Sequence, residues 1–272
     1  MKIKLLAALA IVSLLGSVPS GIAAEKTDAN AELKALVSKI QTKLREGQQT
    51  EKDLAPELKE FDALLAKHQG EKTDEVAQIL LMKAKLYEEV LKDAVKGGAL
   101  MAQLKRDFPD SEPVRMMKEQ EEAKKVRDAL AEGTKFPDFS ETDLAGKPLS
   151  IANYKGKVVL LDFWATWCPP CRAELPNVVK TYEKYHAKGF EIIGISLDRA
   201  QDREKLTSFL KDKDMTWPQF FDGKYWQNKL AAKYGVNSIP ATYLLDGQRT
   251  IIGKDLRGEN LEQAVANALA KK

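Results

Sequence analysis

Two cysteines and two histidines in 272 residues leave little room for several common chemistries. Cys168 and Cys171 cannot build a disulfide-stapled scaffold or a four-cysteine zinc site. His68 and His186 are too few for a histidine-rich metal site, so no metal is expected. Charge of one sign is not in excess either. The 43 Lys and Arg face 40 Asp and Glu, a net +3, which argues against a polyanion binder and against a nucleic-acid partner. Glycine and aromatic content are ordinary and 44% of residues are hydrophobic, so a folded chain is expected, long enough for two domains or one large one.

The apolar run Leu5 to Leu15, interrupted by Ser13, is short for a membrane span of ~20 residues. It follows a basic start with Lys2 and Lys4, and leads through Gly16, Pro19 and Gly21 to Ile22-Ala23-Ala24-Glu25. That layout predicts a secretory signal over 1–24, cleaved after Ala23 or Ala24, and hence a periplasmic or otherwise exported protein. An uncleaved membrane anchor is the competing reading. No cysteine stands near the end of this segment, which excludes a lipoprotein.

Composition then divides the chain. Between 25 and 131 the aromatics are Phe61, Tyr87 and Phe108, and all four tryptophans come later. Apolar residues of this stretch recur at helical spacing: Leu33, Leu36, Val37, Ile40 and Leu44, then Leu54, Leu58, Phe61 and Leu64, then Val76, Ile79, Leu80, Leu86 and Tyr87. Gly47, Gly70 and the pair Gly97-Gly98 read as helix ends, and Ser111 as an N-cap. The expectation for 25–131 is a separate all-α domain of four or five amphipathic helices, with no chemistry visible in it and self-association as one use.

Residues 132–272 read differently. Val158–Trp164, Ile192–Ser196 and Thr242–Leu245 are apolar strands, and Thr250–Ile252 returns across an Asp246-Gly247 turn. Helical patterns cover about Pro170–Ala187, Arg203–Lys211, Trp226–Tyr234 and Glu259–Ala270. The order implies a central mixed sheet with helices on both faces.

The chemistry is concentrated in Trp167-Cys168-Pro169-Pro170-Cys171, between a strand and a helix. Free N–H groups and the dipole at a helix N-terminus favour a thiolate, so Cys168 is expected to be an exposed nucleophile of lowered pKa. Cys171, one turn on, is expected to be the shielded resolving thiol. Trp217 and Trp226 are assigned to the core or a crevice. A static disulfide is the competing reading of the pair.

Leu161-Asp162-Phe163-Trp164-Ala165-Thr166-Trp167-Cys168-Pro169-Pro170-Cys171 resembles the thioredoxin active-site segment. Cys171-Arg172-Ala173-Glu174-Leu175-Pro176 and Gly235-Val236-Asn237-Ser238-Ile239-Pro240 are similar to the TlpA/ResA/CcmG-like branch of exported thiol-disulfide oxidoreductases. The resemblance covers about 136–272. It implies an α/β thioredoxin-like fold and no bound cofactor. It also implies a cis bond before Pro240, facing the cysteines and leaving the Ile239 backbone free for an extended substrate, with Trp167 lining the same surface. It adds Asp162 and Glu174 to the catalytic candidates, as carboxylates near the pair; which one takes the resolving proton stays open.

The function expected is a protein-disulfide oxidoreductase acting on protein thiols and disulfides. The branch mostly reduces substrates, including apocytochrome c cysteines, and draws electrons from a membrane thiol donor. A disulfide oxidase or isomerase is the first alternative. A thiol peroxidase is a second, and a helical docking or oligomerisation protein with an accessory redox domain is a third.

Overall fold

The structure, a computed structural model, describes residues 27–271; the expected signal segment 1–24 lies outside the described residues. The chain divides into two compact units between Glu119 and Gln120.

The first unit is helical. Helices α1 (Thr27–Arg45), α2 (Ala55–Lys67), α3 (Asp74–Lys85) and α4 (Ala94–Asp107) are followed by α5 (Glu112–Ala129), which crosses the division. Their apolar stripes bury as the periodicity predicts, with Leu33, Leu36, Ile40, Leu54, Phe61 and Ile79 in one core and Val76, Leu80, Leu104 and Val114 in another. Gly47 and Gly70 have positive φ just past helix ends, as expected. Two expectations are corrected. Gly97 and Gly98 lie inside α4. A Cβ at Gly97 would come 2.3 Å from Glu88 Cγ and 3.1 Å from the Ala84 carbonyl oxygen, so close approach of two helices, not a helix end, requires the glycine. Ser111 does stand directly before α5, and its carbonyl accepts the Arg115 N–H (2.9 Å), but its hydroxyl donates back to the Phe108 carbonyl (2.8 Å) and does not cap the helix, while Asp74 accepts the Glu112 N–H (2.7 Å).

After the last turns of α5, the second unit continues with a small hairpin, β1 (Glu141–Thr142) and β2 (Pro148–Leu149). Then follow β3 (Val158–Trp164), α6 (Pro169–Tyr185), β4 (Phe190–Ser196), α7 (Arg203–Asp212), β5 (Gln219–Phe221), α8 (Lys229–Lys233), β6 (Ala241–Leu245), β7 (Ile251–Lys254) and α9 (Gly258–Ala270). The sheet order is β5-β4-β3-β6-β7. β3 runs parallel to β4 and antiparallel to β6. Every residue of β3 and β4 is buried, as strands covered on both faces must be. Successive residues of β3 point to opposite faces. Phe163 meets Tyr234 at the end of α8, while Trp164 meets Phe209 of α7. This is the mixed sheet with helices on both faces that the thioredoxin resemblance implies.

The sequence reading missed β5, whose three residues follow Pro218 and are too short to show alternation. It also joined what the fold separates. The helix expected over Trp226–Tyr234 is a 3-10 turn at Tyr225–Gln227 and then α8, because Asn228 caps α8 by accepting the Leu230 and Ala231 N–H groups.

Candidate active site

β3 ends at Trp164 and the chain turns through Ala165-Thr166-Trp167 into α6. That turn is fixed by a carboxylate the sequence reading did not single out. Asp198, fully buried beyond the end of β4, accepts the Thr166 N–H (3.1 and 3.2 Å) and the hydroxyls of Thr166 (2.6 Å) and Ser196 (2.8 Å). The Trp167 indole donates to the Leu197 carbonyl (3.2 Å). A charged residue just past an apolar strand was the only signal for Asp198.

Cys168 is the N-cap of α6, with Pro169 and Pro170 in its first turn, where the missing N–H costs nothing. Its sulfur accepts the Cys171 N–H (3.2 Å) and is joined to Cys171 in a disulfide. The cis peptide bond Ile239–Pro240 stands beside it, with the Ile239 carbonyl oxygen 3.8 Å from Cys168 Sγ. One expectation is corrected. Cys168 is 3% exposed, no more than Cys171, because its sulfur is bonded to Cys171 and lies against the Ile239 carbonyl.

Behind the disulfide is a cavity with room for about one water molecule. Asp162, Cys171, Glu174, Pro240, Thr242 and Arg257 line it. Asp162 is 4% exposed. Burial pushes its carboxyl up to about 7, against the pull of Arg257, and Glu174 adds to the rise. Glu174 is already engaged: one oxygen accepts the Gly258 N–H at the start of α9 (2.6 Å) and the other accepts from the Asn177 amide (3.3 Å). Arg257 is a second residue missed, since nothing local marks an arginine far along the chain.

On the outer side, Trp167 packs against Tyr225 (centroids 4.9 Å apart) and Trp226 (5.9 Å). Arg199 lies over the Tyr225 ring. Trp217 is in the core as expected, but Trp226 is 37% exposed, because the 3-10 turn carries it outward beside Trp167. A larger depression of about 600 Å³ at Gly156, Asp246–Gln248 and Ala264–Lys271 shares no residue with the cysteine site.

A disulfide capping a helix, a cis proline against it and a buried carboxylate behind it define the class: a thioredoxin-like dithiol domain. Residues 133–254 match the model of the AhpC/TSA family, with 1–132 and 255–272 outside the matched stretch. Thiol-disulfide oxidoreductase ResA of Bacillus thuringiensis is 34% identical over 139 residues, 51% of this chain and 77% of that protein. Thioredoxin-like protein YneN of Bacillus subtilis is 39% identical over 123 residues, 45% of this chain and 69% of that one. Among solved structures, the thioredoxin domain of a thiol-disulfide oxidoreductase from Bacteroides vulgatus is 34% identical, covering 50% of this chain and 96% of that chain with a TM-score of 0.45. The chain belongs, through its second unit, to the ResA family of thiol-disulfide oxidoreductases.

Proposed function

We propose that the protein is an exported reductase of protein disulfides, with Cys168 as nucleophile and Cys171 as resolving thiol. The Cys168 thiolate attacks a substrate sulfur, which releases the first substrate thiolate and leaves a mixed disulfide. The Cys171 thiolate then attacks Cys168 Sγ, the second substrate thiolate leaves, and the Cys168–Cys171 disulfide closes. Two electrons pass to the substrate, and a dithiol donor, a membrane thiol protein in this reading, restores the pair. No bound cofactor takes part.

The observation that carries this reading is the placement of Cys168, at a helix N-terminus and against the proline loop. The N–H of Cys171 points at its sulfur, which stabilises negative charge there. The Ile239 backbone beside it suits a main-chain-paired substrate segment, and Trp167 borders the same surface. Asp162 serves as proton acceptor for Cys171, since it is buried beside it and Glu174 is spent on the Gly258 N–H. Reduction, including that of apocytochrome c cysteines, follows the branch that the motifs resemble; export rests on the segment 1–24. No helix among the described residues is long and apolar enough to cross a membrane.

The test is trapping. Cys171→Ser, mixed with intact, disulfide-bonded insulin, should accumulate a mixed disulfide through Cys168, and in the reduced wild type Cys168 should alkylate first at neutral pH. Preferential labelling of Cys171, or no trapped adduct, contradicts the assignment.

A further inference from the structure

The cavity behind the cysteines holds a cation that no motif marked. Arg257 stands immediately before α9. Its Nη2 donates to the Pro240 carbonyl (2.6 Å), and its Nη1 donates to the Thr242 hydroxyl (3.1 Å) and the Leu256 carbonyl (2.7 Å). Pro240 closes the cis bond against Cys168, and Thr242 is the register partner of Asp162 between β3 and β6. The next residue, Gly258, donates its N–H to Glu174 on α6. Two consecutive residues thus tie the proline loop to one side of the cavity and the cysteine helix to the other.

We propose that Arg257 is a positioning residue for the resolving step: its guanidinium, oriented by the Pro240 carbonyl and the Thr242 hydroxyl, holds the Asp162 carboxyl in a form that can take the Cys171 proton. This rests on the reading of Asp162 as proton acceptor. An arginine suits the task because it stays charged at every working pH and presents several fixed donors. Three of them are spent on oxygens of the loop and strand, so the charge is held at one edge of the cavity.

The groups facing Asp162 are few. Glu174 approaches from α6 and raises its proton affinity, and Arg257 lowers it. Asp255, 3.9 Å from Arg257, is 65% exposed and so weakly felt. Without Arg257, burial and Glu174 act unopposed and the carboxylate becomes scarce at neutral pH. The geometry also links two events. A substrate segment seated on the proline loop touches the group that orients the Asp162 counter-charge.

The experiment uses the full chain and 5,5'-dithiobis(2-nitrobenzoate). Attack by Cys168 expels one coloured thionitrobenzoate and keeps the other as a mixed disulfide, and attack by Cys171 on Cys168 Sγ then releases that one as the intramolecular disulfide closes; stopped flow reads this second release from pH 5 to 9. In Arg257→Met the pH midpoint should rise by about one unit, with the rate at pH 7 falling about fivefold. Arg257→Lys should restore most of both, and Arg257→Gln serves where the methionine variant does not fold. In an Asp162→Asn background, Arg257→Met should move nothing further. A wild-type midpoint in Arg257→Met, or a loss uniform in pH that persists in the Asp162→Asn background, overturns the proposal and leaves Asp162 its role. An unaltered profile in Asp162→Asn alone overturns the proton-acceptor reading and the proposal with it.

Discussion

Asp162 sits in the middle of a strand whose other six residues are apolar, and burial raises its carboxyl to about 7. An unfolded aspartate loses its proton near 3.8, so between about pH 4 and 7 the folded protein keeps a proton that the unfolded chain has released. Stability from the neutral carboxyl is full below pH 4 and is lost as pH rises through 7, at about 1.4 kcal/mol per unit. Asp162→Asn should remove that slope and make the oxidised protein a few kcal/mol more stable at pH 8. Urea midpoints at pH 5 and pH 8 for both proteins check this; equal pH slopes would mean that Asp162 ionises freely in the fold. The sequence placed Asp162 near the cysteines by motif, and burial supplies the reason it is useful there.

Helix α5 shows where local reading stops. Its charged sequence reads as a solvated helix of the early half, and the composition break falls near Glu132. The structure instead assigns the turns from Gln120 onward to the second unit. Val126 and Leu130 pack on the second unit's core, and Arg127 donates to the Gly235 carbonyl (2.5 Å). Gly235 has φ +65°, and a Cβ there would lie 2.2 Å from the Ala123 carbonyl oxygen. Gly235→Ala should therefore cost at least about 2 kcal/mol in chemical denaturation. No cost would mean that these turns are not held against the second unit in solution. The long strands β3 and β4 and helix α6 were legible because an unbroken apolar run and an N-cap with prolines are local signals. β5, the broken turn around Asn228, and the roles of Asp198 and Arg257 were not, because each depends on a partner far away in sequence.

At the scale of the whole molecule, we propose that the two halves divide labour. The redox residues all lie in the second unit, so a fragment carrying it should fold and reduce insulin, with the helical unit altering which large substrates are reached by docking or by holding copies together. Where the fragment begins matters. One starting at Gln120 keeps the burial of Val126 and Leu130, and should be about 2–4 kcal/mol more stable than one starting at Glu132. Thermal unfolding of the two fragments decides this; equal stability would place the working boundary after α5.

The central claim is that the Cys168–Cys171 pair works as a reducing dithiol, and its reduction potential tests that most directly. Equilibration of the full chain with glutathione or dithiothreitol buffers, read by alkylation and mass, gives the value. A reducing pair should have a potential near the ~−270 mV of a thioredoxin-type reductant. A value near ~−120 mV, that of a strong disulfide donor, would contradict it and make the protein an oxidase.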